Sequence, residues 1–198
     1  MADFKETTRL WFGYEDIHNH SSELHKSMKS ISPGPSVLVA IGRGGWIPAR
    51  LVSTFYELSR EPVSCLSVIA AYVNLGTSGE HVVLTQGLDK IAIDSLLQKT
   101  KAGYNIWVLD GPYLVGRTAL FVKNYVSEIL KENNIDQKVR IGVLHWVQFD
   151  SCPEAPWRKQ ASLEPDAWGL KIHNDLKPYI EYPWEYPNTA LFNKNSVQ

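Results

Sequence analysis

The stretch IWVLDGPYLVGRTAL, Ile106 to Leu120, decides the fold. An apolar, β-branched run ends in an aspartate, a loop follows, and Gly-Arg-Thr then opens a segment with helical spacing. That is the layout of a buried strand delivering a phosphate-binding turn. The loop between Asp110 and Gly116 is apolar, where such turns usually gather acids. Working outward, the same grammar recurs. Ser36 to Ile41 (SVLVAI) reads as a strand buried on both faces, Gly42-Arg43-Gly44-Gly45 as a turn, and Ile47 to Leu58 as a helix. Val63 to Val73 and His81 to Leu84 read as strands, separated by a polar loop from Asn74 to Glu80. Asp89 to Lys99 reads as a helix, Ile106 to Leu109 as a strand, Arg117 to Lys131 as a helix and Val139 to Val147 as the last core strand. Upstream, Ile17 to Ser30 carries Ile17, Leu24 and Met28 on one helical stripe, and Ser32-Pro33-Gly34-Pro35 ends it. Beyond Asp150 prolines and tryptophans are dense and no long periodic segment is visible.

Strands alternating with helices predict an α/β fold, a mainly parallel sheet covered by helices on both faces. A chain of 198 residues predicts one domain over 1–198. Ligands on such sheets sit at the carboxyl ends of the strands, which groups the loops after Ile41, Leu109 and Val147. The formal net charge of −1 argues against a nucleic-acid partner. No apolar run is long enough to span a bilayer, and the first residues lack the order of a secretion signal. A soluble cytoplasmic protein with a small-molecule substrate is the expectation. Cys65 and Cys152 show no metal spacing and are expected to behave as small buried hydrophobes.

The loops suggest anion chemistry. Three glycines in the four residues from Gly42 to Gly45 allow close backbone approach, and converging amides beside a helix start attract an anion, with Arg43 adding positive charge. A tight turn that binds nothing is the competing reading. Val115-Gly116-Arg117-Thr118 at a helix start can wrap a phosphate monoester, with the Thr118 hydroxyl as a donor. Thr118 as an ordinary first-turn residue is the alternative. Asp110 can accept from sugar hydroxyls or reach a divalent metal through water, or can simply cap the loop.

These residues resemble a family. Ala40 to Phe55 (AIGRGGWIPARLVSTF) is similar to the pyrophosphate-loop segment of type I phosphoribosyltransferases, in the fungal hypoxanthine/guanine and xanthine branch, whose pattern is Ile-x-Gly-Gly-Gly-x-Ile-Pro-Ala-Arg. Leu84 to Asp89 (LTQGLD) resembles that branch's Arg-Thr-Gln-Trp-Leu-Asp. Tyr14 to Asn19 (YEDIHN) resembles its Tyr-x-x-Ile-His element, and Ile180 to Glu185 (IEYPWE) its Tyr-Pro-Trp-Asp ending. The matches run in register over nearly the whole chain.

The resemblance implies a type I phosphoribosyltransferase fold with a small hood and an irregular aromatic-rich C-terminal segment. It implies transfer of a 5-phosphoribosyl group from phosphoribosyl pyrophosphate to a purine-like or other flat base, with Mg²⁺ as cofactor and a homodimer as the assembly. It assigns Gly42, Arg43, Gly44 and Gly45 to pyrophosphate. It assigns Gly111, Val115, Gly116, Arg117 and Thr118 to the phosphoribosyl group, Asp110 to the ribose and metal side, and residues 75–86 to the hood. The chain departs from the family where two adjacent acids and a later aspartate are expected. Gly111 and Leu114 stand at two of those places, and Val115 replaces a threonine. If the later aspartate serves as general acid/base, its loss removes a contribution of about 10²–10⁴-fold. The family's purine-reading lysine is also missing from Leu144 to Asp150, which offers His145, Trp146 and Gln148 instead. His145 reads equally as a ligand reader or a satisfied core histidine. Tyr179, beside Ile180, falls where the family stacks an aromatic on the base, or else it tacks the C-terminal segment to the sheet with Tyr182 and Trp184. A divergent transferase is one outcome. A catalytically lapsed fold that binds a nucleotide or phosphosugar as a regulatory module is the other.

Overall fold

The computed structural model describes residues 9–74, 80–149, 164–174 and 179–185. Its centre is a six-stranded sheet in the order β4-β3-β2-β5-β6-β7. The strands are β2 (Ser36–Ile41), β3 (Val63–Asn74), β4 (Glu80–Gln86), β5 (Asn105–Tyr113), β6 (Val139–Phe149) and β7 (Ala167–Asn174). All pairings are parallel except β3–β4, which is antiparallel. Every residue of β2 is buried, as its uninterrupted apolar run predicts.

Helices α1 (Tyr14–Ile31) and α2 (Trp46–Leu58) cover one face, α3 (Lys90–Lys101) and α4 (Arg117–Glu132) the other. Alternation along the strands splits the core accordingly. Leu38, Ala40, Trp107 and Leu109 pack with Leu24 and Met28 of α1 and Val52 and Tyr56 of α2. Val37, Val39, Ile106 and Val108 pack with Leu96 of α3 and Val122, Val126 and Ile129 of α4. Asp89 caps α3 by accepting from the Ala92 amide at 2.8 Å, a bond whose removal typically costs about 1 kcal/mol.

A second, two-stranded parallel sheet joins β1 (Arg9–Trp11) to β8 (Tyr179–Glu181). It rests on a third apolar cluster that includes Ile17, Leu144, Val147, Ile180 and Tyr182, with Phe12, Leu51, Leu114 and Trp184 packed against it. Buried Glu181 accepts from Arg9 at 2.7 Å across this small sheet.

Three expectations need correction. β5 does not stop at Leu109. It runs on to Tyr113, pairing Pro112 with His145 and Tyr113 with Trp146 on β6. Proline lacks only a donor, and here it costs the ladder little near the strand's end. Cys65 is exposed rather than buried, because β4 pairs only with Ile69–Asn74 and leaves β3 at Cys65 flanked by β2 alone among the described residues. It lines a groove of about 180 Å³ with Trp46, Arg50 and Leu66. Cys152 lies outside the described residues, as do residues 75–79 of the expected hood, whose described part is β4. Finally, β7 lies in the aromatic-rich stretch where no regular segment was expected.

Candidate active site

The carboxyl ends of β2 and β5 lie side by side, so the two phosphate-type turns touch. A Cβ added to Gly44 would sit 3.3 Å from Asp110 Oδ1, and one added to Gly111 would lie 2.9 Å from the Gly44 carbonyl oxygen. A side chain at Gly45 would overlap the Leu109 and Ile41 carbonyls. The glycines at 44, 45 and 111 therefore serve close approach. None of Gly42, Gly44 and Gly45 has positive φ; Arg43 does, at 68°. A left-handed non-glycine residue costs roughly 1–2 kcal/mol, and such strain concentrates at ligand loops. Arg43 is exposed, and among the described residues nothing pairs with its guanidinium.

Asp110 Oδ1 accepts from the amide of Gly111 at 2.8 Å. Burial pushes its carboxyl up to about 7, the Gly111 bond pulling the other way. The residue still keeps part of its surface open beside Gly44. Among the described residues no group of three or more His, Cys, Asp and Glu could hold a metal. A lone carboxyl, already engaged by a neighbouring amide, does not make a resident Mg²⁺ site.

Helix α4 opens at Gly116, whose φ of 70° is left-handed, and no side chain caps that end. The first-turn amides of Arg117 and Thr118 are therefore not occupied by a capping side chain. The sequence reading missed Tyr113. It is 4% exposed, and its ring lies where any β-carbon on Gly116 would have to go. Burial, with Asp166 and Asp110 adding to it, raises its phenol to about 12, so it stays a neutral hydroxyl. The signal available was the apolar run itself, in which Tyr113 continues β5.

Val115, Arg117 and Thr118 are half-buried around this turn. Leu114 is packed against the third apolar cluster, to which Ile180 belongs. Tyr179 is 58% exposed at the start of β8. His145 stands apart from the other candidates. It is fully buried, its Nε2 lies 2.9 Å from His20 Nδ1, and its Nδ1 lies 2.8 Å from the Tyr182 hydroxyl.

A mainly parallel sheet, a glycine turn after β2 and an uncapped helix start after β5 together define the type I phosphoribosyltransferase fold. The relatives carry the likeness further. Xanthine phosphoribosyltransferase 1 of Saccharomyces cerevisiae is 29% identical over 147 residues, covering 68% of this chain and 66% of that protein, just under two thirds of its length. The hypoxanthine-guanine phosphoribosyltransferase of Schizosaccharomyces pombe is 25% identical over 198 residues, covering 91% of this chain and 90% of that protein. A hypothetical protein from Neisseria gonorrhoeae, crystallised with ppGpp, shares the fold at a TM-score of 0.71 and 24% identity, with 96% of each chain covered. The Helicobacter pylori xanthine-guanine-hypoxanthine phosphoribosyltransferase does so at 0.55 and 21%, covering 95% of this chain and 99% of that one. No family model matches. The resemblance to type I phosphoribosyltransferases, read from the sequence, is borne out.

Proposed function

We propose that the protein is a divergent phosphoribosyltransferase that joins a 5-phosphoribosyl group to a flat nitrogenous base. The observation that carries this reading is the contact between the Gly42–Gly45 turn and the Asp110–Gly111 segment, beside an uncapped helix start at Gly116. In this arrangement the Gly116–Thr118 turn takes the 5′-phosphate and the Gly42–Gly45 turn the pyrophosphate. A base nitrogen bonds to C1 of the ribosyl group as the C1–O bond to pyrophosphate breaks, and the bonding electrons leave with pyrophosphate. That departing charge meets the turn amides, fixed in place before the reaction begins, and the positive charge of the exposed Arg43 guanidinium. Mg²⁺ carried on the substrate's pyrophosphate would supply further charge neutralisation there. Asp110 accepts from ribose hydroxyls once ionised.

Leu114 moves no proton. The base therefore enters as its anion or gives its proton to the departing pyrophosphate, and orientation carries more of the rate. The relatives act on xanthine, hypoxanthine and guanine, by their names, and these are the bases to try first. The assembly we propose is a homodimer.

A second reading, a nucleotide-binding regulatory module, is favoured by the Asp110 carboxyl turned onto Gly111 and by the ppGpp carried by the Neisseria gonorrhoeae protein. Calorimetry separates the two. The transferase should bind phosphoribosyl pyrophosphate more tightly with Mg²⁺ than without, and should release pyrophosphate when a base is added. If GMP or ppGpp binds while phosphoribosyl pyrophosphate does not, with or without metal, the transferase reading fails and the binding module stands.

A further inference from the structure

His145 carries more contacts than a core histidine needs. Phe12, the residue after β1, stacks on its ring at 4.1 Å and 21°. Tyr182, the residue after β8, bonds its Nδ1 at 2.8 Å and stacks on Trp184 at 4.4 Å and 11°. His20 of α1 bonds its Nε2 at 2.9 Å. Both strands of the small sheet are thus fastened to one imidazole, and across the main sheet that imidazole's residue is paired with Pro112 of the altered loop. From the geometry we infer that His145 is a positioning residue, fixing the β1–β8 sheet, and with it Tyr179 and Ile180, against the Leu114 loop. The inference deepens the ribosyl-and-base reading above and rests on it for its ligand consequences.

An imidazole can serve both partners at once. One ring nitrogen must donate and the other accept, so that His20, His145 and Tyr182 form a chain with a single direction: His20 donates and His145 passes a bond to the Tyr182 oxygen, or the reverse. Burial, with His20 adding to it, holds the His145 ring neutral far below the ordinary histidine range, which keeps one donor and one acceptor available. Leucine would fill the space but remove both the bond to half-buried His20 and the bond to the buried Tyr182 hydroxyl. Asparagine would present an amide near the Nδ1 position and could retain the Tyr182 bond.

The test uses Tyr182→Phe, His145→Leu and His145→Asn in the full chain. Hydrogen exchange at the amides of residues 179–182 should speed up in Tyr182→Phe and His145→Leu and be largely restored in His145→Asn, with exchange along α4 unchanged. Affinity for GMP should fall about five- to tenfold in the first two variants, the fold-change matching loss of one hydrogen bond. Affinity for ribose 5-phosphate, which does not reach the shelf, should stay within about twofold, on the order of experimental scatter in such comparisons. Unchanged exchange at residues 179–182, or equal weakening of both ligands, overturns the inference. If the wild type binds neither ligand, the ribosyl-and-base reading fails, and the exchange measurement alone decides whether His145 positions the small sheet.

Discussion

Arg43 and Asp110 show how single residues set the site's character. The loop after β2 places its one left-handed conformation on an arginine while three glycines around it adopt ordinary backbone angles. Arg43→Gly should therefore stabilise the fold by about 1 kcal/mol, read as a higher denaturant midpoint. The same change should weaken pyrophosphate binding at least tenfold on the proposed reading, because the positive charge beside that turn is gone. A variant that is both more stable and equally good at binding pyrophosphate would remove Arg43 from the site. Asp110 gives a pH signature. Its folded value of about 7 lies above the 3.8 of an unperturbed aspartate, so the folded chain holds the proton more tightly than the unfolded one. Its contribution to stability is complete below about pH 4 and is lost as pH rises to about 7. Asp110→Asn should lack that fall. Urea midpoints of variant and wild type across this window should diverge as pH rises, with the variant gaining relative stability.

At the scale of elements, the junction of β5 and α4 is the most constrained part of the site. Gly116 is left-handed, and the Tyr113 ring fills the place of its missing side chain. Gly116→Ala combines backbone strain with overlap of a buried ring and should cost about 2–4 kcal/mol. In a Tyr113→Leu background the cost should shrink, and a double-mutant cycle in chemical denaturation measures that coupling. Additive costs would show that the ring does not govern the turn. The same junction shows what a sequence conveys. β2, β5 and β6 were legible because a strand buried on both faces is written as a continuous apolar run. α4 was legible from its apolar spacing. The end of β5 was not, because proline and glycine after Asp110 mimic a turn, while the pairing that keeps Pro112 and Tyr113 extended comes from β6. β1 and β8 are only three residues long, and their pairing is set by chain segments more than a hundred residues away, as with Arg9 and Tyr179, while β7 is placed by pairing with β6, Ala167 beside Gly142. The glycine turn and the Gly116 start were visible as local patterns. The burial of His145 was one of two equal readings, and the sequence could not choose between them because its partners His20 and Tyr182 meet only in the folded chain.

At the scale of the whole molecule, the described residues gather into three apolar clusters, two sandwiching the main sheet and one beneath the small sheet. Leu114 belongs with the third, alongside Ile180 and Tyr182, and this fixes what restoring the family's aspartate would do. An aspartate at 114 puts a carboxylate against apolar side chains and removes a leucine's packing, a combined cost of about 2–4 kcal/mol. The damage should stay local, because Leu114 packs against the third cluster and not against the two large ones. Proteins open in cooperative units that follow such contacts. In Leu114→Asp, hydrogen exchange should therefore accelerate in β1 and β8 while β2 and β5 stay protected. Turnover of hypoxanthine should not rise, since the shelf that would present the base loosens as the carboxylate arrives. A gain in hypoxanthine turnover with unaltered exchange in β8 would show instead that the pocket retains room for the lost acid. The leucine would then be a recent replacement in a purine site rather than part of the wall that holds the C-terminal segment in place.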